Sequence, residues 1–289
     1  MLNGLDISHH NAIDAQMMRS MAWNNKLYFN FIKASEGATI QDRKFVSNWQ
    51  ISRDAGLICS AYHFLRPFSD PLAQAKNFIT QYKQVSRVGV LPPVVDIEWA
   101  QSSKGEQWSQ LTPAKRLTQI KAFMTAVEHE LSVQPIIYTA VNFWKTYVYP
   151  QSSDLDNEYF KQHMAWIVNL NGKGSVPLPW TNATFWQTHF GENGTGPDPY
   201  EHLDHDTFNG SLLDMLNSTL PGFTVMKGFP RSYIVYDIQD VLKTKGFIED
   251  APDGYFGKNT NAAVIKFQNA NGLVGNGIMD RQTWNKLLM

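Results

Sequence analysis

Residues 91–100 read LPPVVDIEWA. Two carboxylates, Asp96 and Glu98, follow an apolar run with one residue between them. An extended strand sends residues i and i+2 to the same face, so both acids point one way. Their α-carbons would lie roughly 6.6 Å apart. Burying an unpaired carboxylate is costly, and each anion raises the pKa of the other. One protonated and one ionised acid are what glycosidic cleavage needs: a proton donor at the leaving oxygen and a negative group facing the charge at the anomeric carbon. Glu98 has the longer reach and stands nearer the strand end, which makes it the candidate general acid. Asp96 is the candidate charged partner that orients the site and keeps Glu98 protonated. The bland alternative is an acid pair salt-bridged to Lys or Arg on a neighbouring strand, because ion-pair networks also shift pKa.

Other residues carry candidate chemistry. Asp6 ends the segment LNGLDIS (2–8) and is followed by Ser8, His9 and His10. The plain reading of Asp6 is a turn cap, and that of the two histidines is an exposed polar turn. Asp204 and Asp206 lie with His202 and His205 in EHLDHD (201–206). That spacing matches neither a helical HExxH nor a paired CxxC, so no metal and no cofactor is expected. The single cysteine, Cys59 in GLICSAYHF, reads as a buried structural thiol. Aromatic residues reach 13%, and such residues serve cores and binding surfaces alike. Tyr62, Phe64, Tyr138 and Trp166 come late in apolar strand-like runs. Together with Gln187 they are candidates for substrate contact.

The elements that must position these residues alternate. Strand patterns occur at 29–35, 57–64, 90–99, 133–140, 163–170 and 184–190, with a first strand at 2–8. Amphipathic stretches at 70–85 and 112–131 lie between them. The second has Thr112 as cap, Pro113 at the first helical position, and Leu117, Ile120, Phe123, Met124 and Val127 at helical spacing. This rhythm predicts an α/β fold with parallel strands closed into a barrel, whose chemistry sits at the C-terminal strand ends. Residues 1–212 form this predicted domain. At 213–232 the pattern breaks, with Pro and Gly twice each, and reads as a linker. Residues 233–289 show three helical patterns (234–245, 259–271 and 280–288), with Gly246 and Gly272 at C-terminal caps and Asp280 as an N-cap. DGYFGKNTNAAV weakly echoes GNGIMDRQTWNKL within this tail.

Bulk properties exclude some functions. The chain has 289 residues, 43% hydrophobic, with a formal net charge of −1. No basic footprint for nucleic acid is present. No apolar run is long enough to span a bilayer, and MLNGLDISHH lacks the pattern of a signal peptide. The expectation is a monomer made in the cytoplasm; if it works elsewhere, another protein must release it. The tail holds six acids (Asp237, Asp240, Glu249, Asp250, Asp253, Asp280) and six bases (Lys243, Lys245, Lys258, Lys266, Arg281, Lys286), so its formal charge is zero. Bulk attraction cannot hold it to an anionic polymer; a shaped surface must do so.

Five stretches in order, GLDISHHN, FIKASEG, AYHFLRP, PPVVDIE and LDHDTFNG, resemble glycoside hydrolase family 25, the Chalaropsis-type lysozymes; PIIYTA and WIVNL fit the same scheme. The tail is similar to three-helix peptidoglycan-binding domains through DGYFGKNTNAAVIKFQNANGL. The resemblance implies a flattened β/α barrel followed by a small helical domain. It implies cleavage of the β-1,4 bond between N-acetylmuramic acid and N-acetylglucosamine of bacterial peptidoglycan, without metal. It also implies net retention, with the substrate's N-acetyl group as nucleophile and an Asp steering it. The family's acidic cluster falls on Asp6, Asp96, Glu98 and Asp204. LDHDTFNG carries a second acid where the family pattern has an apolar residue, and the alignment favours Asp204 over Asp206. A phage or prophage endolysin fits, as does a secreted antibacterial muramidase. The rival classes are a wall-binding protein with an inactive barrel and a zinc-dependent peptidoglycan amidase or peptidase. Sacculus turbidity and chelator sensitivity respectively separate these.

Overall fold

The computed structural model describes residues 1–149, 152–170, 174–191 and 199–289. Its strands are β1 (Leu2–Ile7), β2 (Leu27–Glu36), β3 (Ile40–Gln41), β4 (Ile58–Phe64), β5 (Val94–Asp96), β6 (Gln101–Ser102), β7 (Gly105–Glu106), β8 (Ile136–Ala140), β9 (Ala165–Val168), β10 (Phe185–His189) and β11 (Asp204–Phe208). Its helices are α1 (Ala15–Asn24), α2 (Phe45–Asp54), α3 (Pro71–Tyr82), α4 (Pro113–Leu131), α5 (Val141–Tyr147), α6 (Asp154–Lys161), α7 (Leu212–Ser218), α8 (Tyr233–Thr244), α9 (Lys258–Ala270) and α10 (Arg281–Leu288). Eight strands close into a barrel in the order β1-β11-β10-β9-β8-β5-β4-β2, and β2 pairs back onto β1. The α/β barrel expected from the sequence is therefore present.

The eight barrel strands are parallel except β11, which runs antiparallel to both β1 and β10. The sequence pattern missed this strand because DHDTF is mostly polar and reads as a loop. Its reversal has two results. Asp204, at its start, faces Asp6 at the end of β1, while Phe208, at its end, faces Leu2 at the opposite end of the barrel. The chain thus leaves the barrel at the end remote from the acids.

β5 is only three residues long, against ten read as strand. Pro92 and Pro93 have no N–H to give a ladder. Beyond Asp96 the chain still uses its neighbours, since the Ile97 amide donates to the Tyr138 carbonyl. On the outer layer, Asp70 caps α3 by accepting from the Ala73 amide at 2.8 Å, with Pro71 in the first turn. α4 starts at Pro113 after Thr112, whose side chain makes no capping bond, and stops at Ser132 with φ +54°.

Where the broken pattern reads as a linker, the chain first forms α7. Ser211 and Asp214 cap it reciprocally: the Asp214 amide donates to the Ser211 hydroxyl, and the Ser211 amide donates to the Asp214 carboxylate. Two turns are too short for helical periodicity to show in sequence. Val225 then pairs with Met279 through amide–carbonyl bonds of 3.1 and 2.8 Å, tying the segment to the tail.

The tail is two copies of one device sharing α9. The Gln239 side chain accepts from the amides of Asp253 and Gly254 and donates to the Thr260 hydroxyl. In the second copy Gln268 accepts from the Gly277 amide and donates to the Thr283 hydroxyl. Both glutamines are buried. The echo between the two loops is the trace of this repeat.

The tail sits against the N-terminal ends of the barrel strands, opposite the acids. Trp23 stacks on Tyr233 with ring centroids 4.8 Å apart, and the Arg231 guanidinium lies 3.4 Å from the Trp23 ring centroid. The Tyr28 hydroxyl donates to Asp237 at 2.8 Å. At Gly89 (φ +61°) an added Cβ would stand 2.4 Å from the Phe223 Cα. One apolar cluster runs from the barrel interior (Phe29, Phe31, Trp166, Phe185, Phe208) through Phe223 and Val225 into the tail core of Ile234, Ile238, Val264 and Trp284.

Candidate active site

The C-terminal strand ends surround a cleft of about 230 Å³. Every residue singled out from the sequence for acid or substrate contact lies on it: Asp6, Asp96, Glu98 and Asp204, with Tyr62, Phe64, Tyr138, Trp166 and Gln187. A larger groove of about 1000 Å³ between α3 and α4 lies outside the barrel and shares none of these residues.

The acids are arranged by pairing. Asp6 is directly opposite Asp204 across β1 and β11, and Gln187 bridges them: its Nε2 donates to Asp6 at 2.7 Å and to Asp204 at 3.3 Å. The Tyr138 hydroxyl fixes Gln187 by donating to its Oε1 at 2.6 Å. Asp204 also accepts from the Gly191 amide at 2.7 Å. Asp206, two residues on, shares its strand face but lies below the cleft. It is buried, with Trp166 Nε1 donating to it at 2.7 Å. Its other oxygen has no hydrogen-bond partner, and burial, with the Asp6 charge adding to it, pushes its carboxyl well above the usual range.

Asp96 is buried and Glu98 is half-buried. Burial pushes Asp96 well above the usual carboxylate range, and the Glu98 charge adds to this. Burial likewise raises Glu98 to about 7, against the opposing pull of Lys33. The sequence reading leaves Asp96 as a bare anion beside a protonated Glu98. The structure pushes both upward, because Asp96 is the deeper of the two and one of its oxygens lacks a donor. The two titrate together, and Glu98 is the one that reaches solvent. Burial also raises Asp6, with Asp204 adding to it.

Tyr138 and Trp166 belong to the core and also line the cleft. They are buried in the barrel interior, where Trp166 stacks on Phe31 at 4.1 Å, and their edges floor the cleft. Lys33, Ser8, His10 and Phe190 also line it, beyond the residues singled out. Lys33 had a signal: a lone cation directly after the apolar Phe31 and Ile32 of a buried strand. It pairs with Glu36 at 2.7 Å, Arg66 grips the same carboxylate, and both cations lie over the Phe64 ring. His10 is exposed in the turn foreseen for it, while His9 Nδ1 lies 2.8 Å from buried Asp42.

In EHLDHD, His205 Nε2 contacts the Tyr200 carbonyl and its ring stacks on Tyr200. Among the described residues no group of His, Cys, Asp and Glu is arranged to hold a metal ion.

A barrel with clustered carboxylates at its mouth restricts the family, and one comparison decides it. Residues 5–196 match the family described as Glycosyl hydrolases family 25, about two-thirds of the chain. The chain belongs to glycosyl hydrolases family 25. As a family 25 enzyme it is a glycoside hydrolase of the lysozyme, or muramidase, type that acts on peptidoglycan of the cell wall. Residues 231–287 match the family described as Putative peptidoglycan binding domain. Lysozyme M1 of Streptomyces globisporus is 29% identical over 225 residues, covering 75% of this chain and 72% of the relative. N,O-diacetylmuramidase of Arthroderma benhamiae is 27% identical over 195 residues, covering 66% of this chain and 76% of that one. The crystal structure of the bacterial lysozyme from Streptomyces coelicolor superposes with a TM-score of 0.64 at 27% identity, covering 75% of this chain and 96% of that one.

The pH dependence has a definite sign. A general acid works only while protonated, so kcat/KM on soluble muropeptide oligomers should fall as pH rises through about 7. Stability should follow the same direction. Carboxyls whose folded pKa is raised stabilise the fold at low pH and lose that contribution as pH rises through the folded value. The loss of melting temperature from about pH 6 to about pH 8 should be larger in the unaltered enzyme than in Glu98→Gln, a comparison that cancels the opposite contribution of buried His63 and His163, whose pKa values are lowered. The same pH dependence in both proteins would mean that Glu98 is not held protonated.

Proposed function

We propose that this enzyme is an N-acetylmuramidase that cuts the β-1,4 bond from N-acetylmuramic acid to N-acetylglucosamine, with Glu98 as general acid. The observation that carries the reading is the half-buried Glu98 carboxyl opening onto a cleft walled by Asp96, Asp6 and Asp204. Glu98 gives its proton to the leaving oxygen, and the surrounding carboxylates oppose the positive charge that grows at the anomeric carbon. Asp204, held by the Gly191 amide and Gln187, faces the same cleft and steers the sugar's N-acetyl group. We further propose use in lysis from within, as in a phage or prophage endolysin. Its support is the joining of a wall-cutting barrel to a wall-binding domain.

Mass spectrometry of borohydride-reduced digests of purified sacculi tests the bond. Reduced muramic acid at the new ends is expected. Reduced glucosamine, or new peptide termini without new reducing ends, would contradict the reading.

Asp204 and Asp206 separate by variant. Asp204→Asn should lower turnover by about 10²-fold or more, because it removes a charge facing the sugar. Asp206→Asn should leave turnover within a few-fold and should not lower the melting temperature. It keeps an acceptor for Trp166 and relieves repulsion with Asp6. The reverse ranking at equal stability would move the functional acid two residues along β11.

A further inference from the structure

Glu36, Phe64 and Asp96 lie in one row across neighbouring strands. Phe64 of β4 pairs with Glu36 of β2 on one side and with Asp96 of β5 on the other. Two cations crowd this row. Lys33 Nζ stands 5.3 Å from the Phe64 ring centroid, and the Arg66 guanidinium carbon stands 4.7 Å from it. Both are held from the Glu36 side. Lys33 donates to Glu36 Oε2 at 2.7 Å, and Arg66 donates through Nε and Nη2 to Oε1 at 2.9 and 2.6 Å. Burial works against the Glu36 charge, yet the two cations hold its carboxyl below the usual range.

Lys33 has carboxylates on both sides. It lines the cleft together with Asp96 and Glu98, and a Lys side chain carries its ammonium on a flexible four-carbon stem. An ion pair with Glu98 would favour the ionised carboxyl, and an ionised Glu98 has no proton to give. The neighbouring acids act in the opposite sense: Asp96, Asp6 on β1, Asp204 on β11 and Glu106 on β7 repel the Glu98 charge. The Tyr62 and Tyr138 hydroxyls stay neutral, since burial pushes both well above the ordinary tyrosine value. His10, in the turn after β1, also faces the cleft. Lys33 and Arg66 are the cations that pull Glu98 toward ionisation.

We propose that Glu36 is a positioning residue for the general acid: it parks Lys33 and Arg66 against the Phe64 ring and so denies both cations to the Glu98 carboxyl. This role rests on Glu98 being the proton donor, and it names what lets an acid keep its proton beside two cations.

The test is the pH profile of kcat/KM for the full-length enzyme on soluble muropeptide oligomers, read at the midpoint of its alkaline limb. Glu36→Gln should move that midpoint about one pH unit toward acid, a loss of about tenfold at about pH 8 and little at about pH 5. Glu36→Gln/Lys33→Met should return most of the shift. Any contact of Lys33 with substrate changes the height of the profile and not its midpoint. Lys33→Met alone should move the midpoint toward alkali. Activity lowered equally at every pH in folded Glu36→Gln, with the midpoint unmoved, would reduce the ion pairs to structural ones and overturn the proposal. An unmoved midpoint in Lys33→Met would overturn it too, and that variant decides if Glu36→Gln does not fold. Near-normal activity in folded Glu98→Gln would instead remove the reading beneath.

Discussion

Glu98→Gln should abolish sacculus clearing while leaving the fold intact. The substitution keeps the shape of the side chain and removes its proton. Loss of a general acid costs a factor on the order of 10² to 10⁴. The melting temperature should not fall. Glu98 is held above the usual carboxylate range by burial, with Asp204 adding repulsion, so an uncharged amide relieves an existing strain. The side chain also makes none of the cleft's structural bonds. Those run through Tyr138, Gln187, Asp6 and Asp204. Clearing at near-normal rate by a folded Glu98→Gln protein would place the proton donor elsewhere in the cluster.

Ending the chain near residue 220 should weaken the barrel itself, beyond any loss of wall affinity. A net charge of zero and separate helical patterns suggest a tail that only tethers. The packing adds a second role. Truncation uncovers Trp23 and Tyr28, removes the Tyr28–Asp237 bond, and leaves the space beside Gly89 without Phe223. Losing one buried Phe typically costs about 3 kcal/mol or more. In a barrel of this size that lowers the melting temperature by roughly 6–12 °C. Calorimetry of the shortened protein checks this. Below its melting point the shortened enzyme should still hydrolyse soluble oligomers, because the acids lie at the other end of the barrel, and it should clear sacculi more slowly. An unchanged melting temperature would show the contact to be incidental.

What could be read before the structure, and what could not, follows from physical range. Strands buried on both faces, such as β2 and β4, announce themselves by apolar runs. Helices with clean periods, such as α4, or with a cap that the sequence shows, such as α10 at Asp280, do so as well. β11 did not, because two of its five residues are carboxylates, Asp204 and Asp206, set beside Asp6, and only Phe208 joins the apolar core. β5 was overextended because its apolar flank continues past the prolines that end its ladder. Same-face placement of Asp96 and Glu98 was accessible from strand periodicity alone. Their depths were not, and depth is what raises both acids rather than leaving one a bare anion. Lys33 and Gln187 act through cross-strand neighbours distant in sequence. The contact between Trp23 and Tyr233 joins residues two hundred positions apart, and no local pattern encodes it.

The chemistry requires Glu98 to hold a proton at neutral pH within a crowd of carboxylates. A ¹³C NMR titration of the glutamate side-chain carboxyls, with Glu98→Gln to assign the resonance, measures that directly. The resonance missing from the variant should titrate near 7 in the unaltered enzyme. A midpoint near the ordinary glutamate value of about 4.3 would mean that Glu98 is ionised at working pH and cannot be the acid.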